Sequence, residues 1–282
     1  MKHKKNILVI ITIFFILTAL CSCGTKDNTI KNVPKAENDL NISILKVGQA
    51  DAIILKTKNH TVVIDCGEED DGDEICEHLS ESGCEKVDFL FITHFDKDHV
   101  GGASEVINSF EVSEIITPDY VGTSDEYRTY ASTLQEKTIT PTRLTKEMLF
   151  TLDDVFFEVY PPQRNYYAEG DNDYSLVISI THGENKFLFA GDAEKDRLQE
   201  LSKQLDLEHT FLKMPHHGKF NKGTVAFLKN VSPAYTVICD SEKNPAEDDT
   251  LSALKTIGSD VYHTKDGDIS VLSDGETILV VQ

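Results

Sequence analysis

The sequence predicts an α+β fold in which two β-sheets pack face to face and helices cover their outer sides, giving four layers in the order αββα. Two observations lead to this prediction. Apolar runs of high β-propensity form a meander that starts near residue 42, and strand and helix patterns alternate after it. The same succession recurs in the second half of the chain, as expected for a second sheet with its own helices.

In the first half, three β-rich runs open the folded region: ISILKV, AIILKT and TVVIDCG, with Gly48 between the first two. Residues 73–82 have helical spacing that puts Ile75 and Leu79 on one face. The apolar run VDFLFIT that follows is typical of a strand buried on both faces. Further predicted elements are a helix over 103–110, a strand at SEIITP and a helix over 124–137.

The second half opens with three more strand patterns, DVFFEVYPP, SLVISITHG and KFLFAGD. The turn between the last two is predicted to expose His182 and Asn185 to solvent. Leucine spacing predicts a helix over 193–205, and HTFLKMPHHG returns to a strand. The remaining predicted elements are helices over 224–230 and 250–257, a strand at AYTVICD and final strands near 261, 269–272 and 277–281.

The first twenty residues resemble a secretory signal. Lysines at positions 2, 4 and 5 precede an apolar run over 7–20, which is short for a membrane span. This run ends in LCSCG, which resembles a bacterial lipobox in which Cys23 is the lipidated residue. An uncleaved N-terminal anchor is the alternative, and either interpretation places the rest of the chain outside the membrane.

These patterns set the predicted domain organisation. Residues 1–22 are predicted to be a lipoprotein signal peptide, and 23–40 a flexible tether, because that stretch is polar and has too little apolar surface to fold. Residues 41–282 are predicted to form one domain, since no shift in composition divides them. The expected location is the bacterial cell envelope, extracytoplasmic and lipid-anchored to the membrane.

The chain is strongly acidic, with a formal charge of −21. Removal of the signal takes three lysines and no acid, which leaves 24 basic residues against 48 acidic ones and a charge of −24. Such a surface repels polyanions, so strong binding of duplex nucleic acid is not expected.

Four cysteines remain after signal cleavage and lipidation: Cys66, Cys76, Cys84 and Cys239. In an exported protein they could form a disulfide or stay as free thiols, and the sequence leaves both possibilities open.

Histidine and aspartate residues cluster directly after three of the apolar runs. His94, Asp96, Asp98 and His99 follow VDFLFIT within six residues, on a predicted loop that two following glycines, 101 and 102, allow to turn tightly into a helix. Two further strand ends supply Asp192, in FLFAGDAE, and His216 and His217, in KMPHHG. Six or seven nitrogen and oxygen ligands of this kind can hold a pair of cations. A solvated acidic turn is the alternative, but matching residues at two other strand ends disfavour it.

The segments THFDKDHVGG, FLFAGDAE and KMPHHG, in this order, resemble the metallo-β-lactamase fold, whose hallmark is a His-x-His-x-Asp-His loop. The resemblance covers 41–282. Four more segments, VGQADAIILKT, VVIDCG, NDYSLVISI and VYHTKDGDISVLSDG, resemble the ComEC-like subtype and its exported stand-alone hydrolase domains. The resemblance implies a four-layer metallo-β-lactamase-like fold and a metal-dependent hydrolase over 41–282.

The resemblance also implies two divalent metal ions. Carried over by position, His94 and Asp96 would hold the first ion and Asp98 and His99 the second, with Asp192 bridging them and His216 or His217 completing the second. Zn²⁺ is the expected metal, and Mn²⁺ is an alternative, because the Asp96 oxygen replaces an imidazole of the wider family. The third histidine that the family gives its first metal is absent from 160–173.

Three further positions are implied to contact the substrate. Asn172 and Ser175 stand where the family has its missing histidine, and His263 stands where relatives often have arginine. Asp51 and Asp65 end or begin strands and could either orient ligand histidines or simply form turns.

The function predicted from these residues is metal-dependent hydrolysis of a phosphodiester, in nucleic acid or in the envelope, by a hydroxide that two metals activate. A metal pair lowers the pKa of water from ~16 towards ~7. Asp192 would bridge the metals, and Asp98 would orient the water or take its proton, so these two are the expected catalytic residues. The substrate would be a small or polymeric phosphodiester. The alternatives are a β-lactamase or other amide hydrolase, and a non-catalytic lipoprotein that binds DNA for uptake or an envelope polymer.

Overall fold

The computed structural model of the protein describes residues 40–168, 170–204 and 206–282. The predicted signal peptide, Cys23 and the tether up to residue 39 lie outside the described residues. The first strand begins at Leu40, which is buried, one residue before the predicted start of the domain.

The strands alternate with helices along most of the chain. In the first half they are Leu40–Ile44 (β1), Ala52–Lys56 (β2), Thr61–Cys66 (β3), Lys86–Phe91 (β4), Glu111–Pro118 (β5) and Thr142–Leu144 (β6). In the second half they are Met148–Leu152 (β7), Val155–Tyr160 (β8), Val177–His182 (β9), Asn185–Phe189 (β10), Phe211–Lys213 (β11), Tyr235–Ile238 (β12), Asp260–His263 (β13), Ile269–Ser273 (β14) and Ile278–Val281 (β15).

Two mixed sheets result. Sheet A has eight strands in the order β15-β14-β1-β2-β3-β4-β5-β6, antiparallel as far as β3 and parallel from β3 to β6. Sheet B has seven strands in the order β13-β12-β11-β10-β9-β8-β7, antiparallel from β7 to β10 and parallel from β10 to β13. Each sheet therefore has a parallel half in which the carboxyl ends of the strands share one edge.

The core between the sheets is apolar and rich in phenylalanine. Phe89 of sheet A stacks on Phe150 of sheet B with 4.5 Å between ring centroids, and Phe150 stacks on Phe157 at 4.8 Å. Phe91 and Phe157 are fully buried in this layer. The aromatic contacts join the two sheets face to face, as the predicted sandwich requires.

Helices cover the outer faces. They are Gly72–Glu81 (α1), Lys97–Val100 (α2), Ala103–Ser109 (α3), Asp125–Glu136 (α4), Lys195–Gln204 (α5), Thr224–Val231 (α6) and Asp248–Ile257 (α7). Ile75 and Leu79 of α1 and Val106 of α3 are buried against sheet A, while Leu198 of α5 and Leu228 of α6 are buried against sheet B. The αββα fold is confirmed, and each predicted helix is present with its ends displaced by at most two residues.

One local prediction was wrong, and another holds for a different physical reason. His182 and Asn185 are buried rather than solvated: the Nδ1 atom of His182 lies 2.9 Å from the Ser273 hydroxyl, and the Asn185 amide donates to the same oxygen at 3.0 Å. Gly101 and Gly102 have ordinary helical φ angles of −54° and −80°. Glycine is needed there for space, because a Cβ atom on Gly101 would lie 2.4 Å from the carbonyl carbon of Glu68.

All four cysteines of the described residues are free thiols, so the free-thiol alternative fits the structure. None of the described helices has the length and apolar character needed to cross a membrane.

Candidate metal centre

The centre lies where the carboxyl ends of the parallel strands of both sheets meet. The loop after β4 carries His94 and Asp96 and leads into α2, which holds Asp98 and His99. Sheet B contributes Asp192 from the loop after β10, and His217 from the turn Pro215–Gly218 after β11. The ligand-type residues of the two sheets thus converge on one edge of the sandwich.

Four side chains form the centre of this group: Asp98, His99, Asp192 and His217, whose potential ligand atoms all lie within 4.8 Å of one another. The Nε2 atom of His99 is 3.3 Å from Oδ1 of Asp192, and Nε2 of His217 is 3.1 Å from Oδ2. His217 Nε2 also lies 3.2 Å from Oδ2 of Asp98. Asp192 therefore sits between two imidazoles, with one on each carboxylate oxygen.

Hydrogen bonds on the far side of each ring fix which nitrogen faces the centre. His99 donates from Nδ1 to Oδ2 of Asp65 at 2.8 Å, and His217 donates from Nδ1 to the carbonyl of Cys239 at 2.9 Å. Because a carboxylate and a carbonyl can only accept, both Nδ1 atoms carry a proton, which leaves the two Nε2 atoms as the ones that would ligate a metal. A supporting bond of this kind is the usual companion of a metal-ligating histidine.

The backbone at these positions is strained. Asp65 has φ 59°, and His216 and His217 have φ 48° and 52° in succession. Left-handed backbone of this kind costs about 1–3 kcal/mol for each non-glycine residue and persists where surrounding contacts impose it. This backbone conformation orients the Asp65 side chain towards His99 and the His217 side chain towards Asp192.

Despite these short distances, several buried polar atoms at the centre have no partner in hydrogen-bonding geometry among the described residues: Nε2 of His94, His99 and His217, Oδ1 of Asp192 and Oδ1 of Asp51. A buried polar atom without a partner costs about 1–3 kcal/mol. Imidazole nitrogens and carboxylate oxygens are the ligands that Zn²⁺ takes in proteins, so this donor set fits divalent metal.

Opposite charges shape the ionisation of the centre. Burial disfavours charge on Asp192, but the adjacent His217 and His99 hold its pKa well below the usual value. Burial likewise opposes charge on His217, yet Asp192 and Asp98 raise its pKa to about 9. In the absence of metal, protonated imidazoles thus neutralise the carboxylates. A bound metal ion would take the place of the protons.

The residues predicted for the first metal lie beside this group. Nε2 of His94 is 3.7 Å from Oδ2 of Asp96, and the rings of His94 and His99 are 4.1 Å apart. A residue missed by the sequence reasoning, Asp171, is near both: burial and the Asp96 carboxylate raise the pKa of Asp171, and His94 lowers it. Asp171 directly precedes Asn172, which is the signal that could have identified it.

Of the two adjacent histidines, the structure brings only His217 into the group. His216 points elsewhere, with Nδ1 2.6 Å from Oε1 of Glu194 and Nε2 3.3 Å from the amide nitrogen of Asn172. Asn172 thus contacts the histidine that lies outside the group. Ser175 is fully buried, where its hydroxyl accepts from the backbone N–H of Asp192 at 3.1 Å. Its position does not fit the predicted substrate contact and instead fixes the loop that carries Asp192.

Two buried charged residues lie beneath the centre: Lys213, which the sequence reasoning missed, and Asp51, whose role it left open. Lys213, the last residue of β11, is fully buried and bonds through Nζ to Asp51 and to the carbonyl of Gly191. It lies 3.7 Å from Oδ1 of Asp192. Burial alone would lower the pKa of Lys213, but Asp51 and Asp192 hold it above the usual value. A lysine that ends an apolar strand just before His216 was the available signal.

His263, predicted to contact substrate, lies at the end of β13, two strands from β11 in sheet B. Its Nδ1 is 2.9 Å from Oδ2 of the buried Asp240. Asp65, left open between two roles, orients His99 as described above.

A comparison with protein families matches residues 45–239 to the Metallo-beta-lactamase superfamily. Among curated proteins, the chain is 26% identical over 209 residues to "Recombination protein 2" of Haemophilus influenzae, covering 72% of this chain and 24% of that protein. It is 25% identical over 218 residues to "Competence protein ComA" of Neisseria gonorrhoeae, covering 75% of this chain and 29% of that protein. The chain thus spans about a quarter of the length of these relatives. The predicted similarity to ComEC-like proteins is confirmed.

Solved structures share the fold. Igni18, described as a novel metallo hydrolase from the archaeon Ignicoccus hospitalis, superposes with a TM-score of 0.53 at 14% identity, covering 86% of this chain and 99% of that one. The metallo-beta-lactamase fold protein YhfI from Bacillus subtilis superposes with a TM-score of 0.53 at 11% identity, covering 83% and 99%.

Proposed function

The chain belongs to the metallo-beta-lactamase superfamily, and from this premise we propose that it is a metal-dependent phosphodiesterase of the bacterial cell envelope. The proposed substrate is a phosphodiester of a nucleic acid or of an envelope component. We further propose that a lipid on Cys23 anchors it to the membrane. A fold alone does not select a substrate, so each step of the proposal depends on the residues at the centre.

The observation that carries the proposal is the set of buried, unpartnered ligand atoms on His99, Asp192 and His217. With Asp98 these residues would hold one divalent ion, and His94 and Asp96, with Asp192 shared, would hold a second. Bound ions would supply Lewis-acid chemistry, lowering the pKa of water and polarising a phosphoryl oxygen.

Asp98 has the position of a group that orients the attacking water. Its side chain is 22% exposed, in contrast to the buried His99, Asp192 and His217, so it meets the solvent side of the centre. Burial would raise the pKa of Asp98, but His217 and His99 lower it far below the usual value. Asp98 is therefore ionised at neutral pH and able to accept a hydrogen bond from water.

Two observations support a phosphodiester over an amide. The curated relatives are named for recombination and competence, processes that involve nucleic acid. The position of Asp96 and the absence of histidine from 160–173 would give a first metal a different ligand set from the three histidines of the wider family. The charge of −21 favours a small or flexible diester over a long duplex, since basic side chains supply most non-specific affinity for duplex DNA.

The test uses the full chain in detergent, loaded with Zn²⁺ or Mn²⁺, on a panel of substrates. The panel contains bis-p-nitrophenyl phosphate, p-nitrophenylphosphorylcholine, single-stranded DNA and nitrocefin, and Asp192→Asn is the inactive control. We expect hydrolysis of at least one phosphodiester and little of nitrocefin. Faster turnover of nitrocefin would refute the phosphodiesterase in favour of an amide hydrolase. Metal-loaded protein that hydrolyses nothing would favour a binding lipoprotein.

Anchoring is tested separately by Cys23→Ala. An acyl chain is the expected attachment once the signal is cleaved, so the variant should leave the detergent phase after phase separation. Continued partitioning into detergent would indicate an uncleaved N-terminal anchor instead.

A further inference from the structure

The parallel half of sheet B brings a second histidine–carboxylate pair to the same edge as the metal centre. The strands β10, β11, β12 and β13 run parallel in this order, so their carboxyl ends lie together. Asp192 follows β10 and His217 follows β11, while Asp240 follows β12 and His263 ends β13. Among the described residues, the second pair lies outside the group around Asp192 whose potential ligand atoms converge.

The two histidines are fixed to consecutive residues of the segment after β12. His217 donates from Nδ1 to the carbonyl of Cys239 at 2.9 Å, and His263 Nδ1 lies 2.9 Å from Oδ2 of Asp240. Neighbouring Cα atoms are about 3.8 Å apart. The two histidines are therefore anchored to adjacent residues of one segment, although 46 residues separate them in sequence.

The geometry of the pair assigns the tautomer of His263. The Asp240 carboxylate accepts, so Nδ1 carries a proton and Nε2 is the atom that can exchange one with a substrate. The His263 side chain is 19% exposed and that of Asp240 is fully buried. Among the described residues, Nε2 of His263 has no partner, so it is free to contact a bound molecule.

Two further hydrogen bonds hold Asp240 in place. Its Oδ2 atom also accepts the backbone N–H of Ala246 at 3.2 Å, and its own N–H donates to the Thr264 hydroxyl at 3.1 Å. The other oxygen, Oδ1, is buried without a partner. A buried carboxylate oxygen without a hydrogen-bond partner is destabilising, and a catalytic role is one of the explanations for such an atom. Burial would raise the pKa of Asp240, but the hydrogen bonds from His263 and the Ala246 N–H, together with the Lys265 charge, hold it below the usual value.

From this arrangement we infer that His263, oriented by Asp240, is the acid that protonates the leaving oxygen of the substrate. The inference rests on the proposed phosphodiesterase. Water forms a bond to phosphorus as the bond from phosphorus to the leaving oxygen breaks, and that oxygen takes the proton from Nε2 of the His263 imidazolium. The alcohol departs neutral. The attacking water releases one proton to solvent, and the imidazole regains one from solvent, so the products are a phosphate monoester and an alcohol.

The contribution of a general acid to the reaction rate grows with the basicity of the leaving group. Loss of a general acid typically slows a reaction by about 10²–10⁴-fold. The loss should be large for methyl phenyl phosphate, because phenol, like the tyrosine side chain, has a pKa of about 10. It should be small for methyl p-nitrophenyl phosphate, whose leaving group is stable as an anion.

The experiment compares both diesters in the metal-loaded full chain and in three variants. His263→Gln and Asp240→Asn should each lose about a hundredfold or more on the phenyl ester and less than about tenfold on the nitrophenyl ester. His60→Gln is the matched control, because His60 also pairs through Nδ1 with an aspartate, Asp153, at 3.2 Å, but on a different loop. It should match the parent on both esters. Metal content and melting temperature are measured for each variant.

The outcomes separate the acid role from the proposed function. Equal losses on both esters with normal metal content would overturn the acid role, since a positioning defect slows both alike. Unchanged rates in His263→Gln would overturn it as well. A parent protein inactive on both esters would refute the phosphodiesterase, and the acid role with it.

Discussion

Replacing Asp65 by asparagine tests whether this buried carboxylate controls the metal affinity of the centre. Asp65 accepts three hydrogen bonds, from the backbone N–H and hydroxyl of Thr93, both at 2.7 Å, and from Nδ1 of His99 at 2.8 Å. Asparagine has nearly the same shape and tolerates the left-handed backbone at φ 59°. The change therefore alters hydrogen bonding with little effect on packing.

The magnitude follows from the bond to His99. In the variant, an amide N–H₂ replaces Oδ2 and faces Nδ1 of His99, so the imidazole is favoured with its proton moved to Nε2. That nitrogen then has no lone pair for metal. Loss of such a supporting partner typically weakens metal binding 10–100-fold, which is about 1.4–2.7 kcal/mol.

The assay is equilibrium competition for Zn²⁺ against a chromophoric chelator, together with the metal content per chain. The matched control is Asp153→Asn, because Asp153 also accepts several bonds, from Thr57, Asn59 and His60, on a loop that carries none of the predicted ligands. It should leave the Zn²⁺ affinity unchanged. Unaltered affinity in Asp65→Asn, or an equal loss in the control, would refute the orienting role.

Three other predictions concern the centre and the stability of the fold. Asp192→Asn removes the carboxylate between two imidazoles, so it should lose bound metal and at least about a hundredfold in hydrolysis, measured by metal analysis and initial rates. His217→Ala should weaken Zn²⁺ binding by more than roughly tenfold while His216→Ala should not, since only His217 faces Asp192; the opposite result would reverse their assignment. Burial would raise the pKa of Asp153, but hydrogen bonds hold it below its usual value. The stabilisation that Asp153 gives the folded state is therefore present above about pH 4 and is lost as the pH falls through the lower pKa of the folded state. Urea unfolding of the parent and Asp153→Asn should differ at pH 6 and converge in acid; a gap that widens in acid would contradict this sign.

Most of the fold could be predicted from the sequence because helix and strand patterns depend on residues close together in the chain. The spacing of Ile75 and Leu79 marks the buried face of α1, and VDFLFIT marks β4 as an inner strand. Strand β7 was missed because it lies at the edge of sheet B, where Leu149 is 54% exposed and the alternation of apolar residues is weak. Edge strands carry little of the burial that makes such patterns visible.

The ligand types at the centre were also predictable, because each follows an apolar strand. The choice between His216 and His217 was not, since it depends on two consecutive left-handed residues that no local pattern signals. The tight space around Gly101 and the burial of His182 arise from contacts distant in sequence. Lys213 and Asp240 likewise acquire their roles only when neighbouring strands bring them beside Asp51 and His263.

The candidate ligands come from both layers of the sandwich, His94 to His99 from sheet A and Asp192 and His217 from sheet B. A bound ion would therefore act as a cross-link between segments about 100 residues apart, made only in the folded chain. Ligands that bind only the native state stabilise it by about 2.7 kcal/mol at a concentration one hundred times the Kd. Free metal in the surroundings would thus set the lifetime of the protein as well as its activity, and scarcity would expose the chain to unfolding and proteolysis.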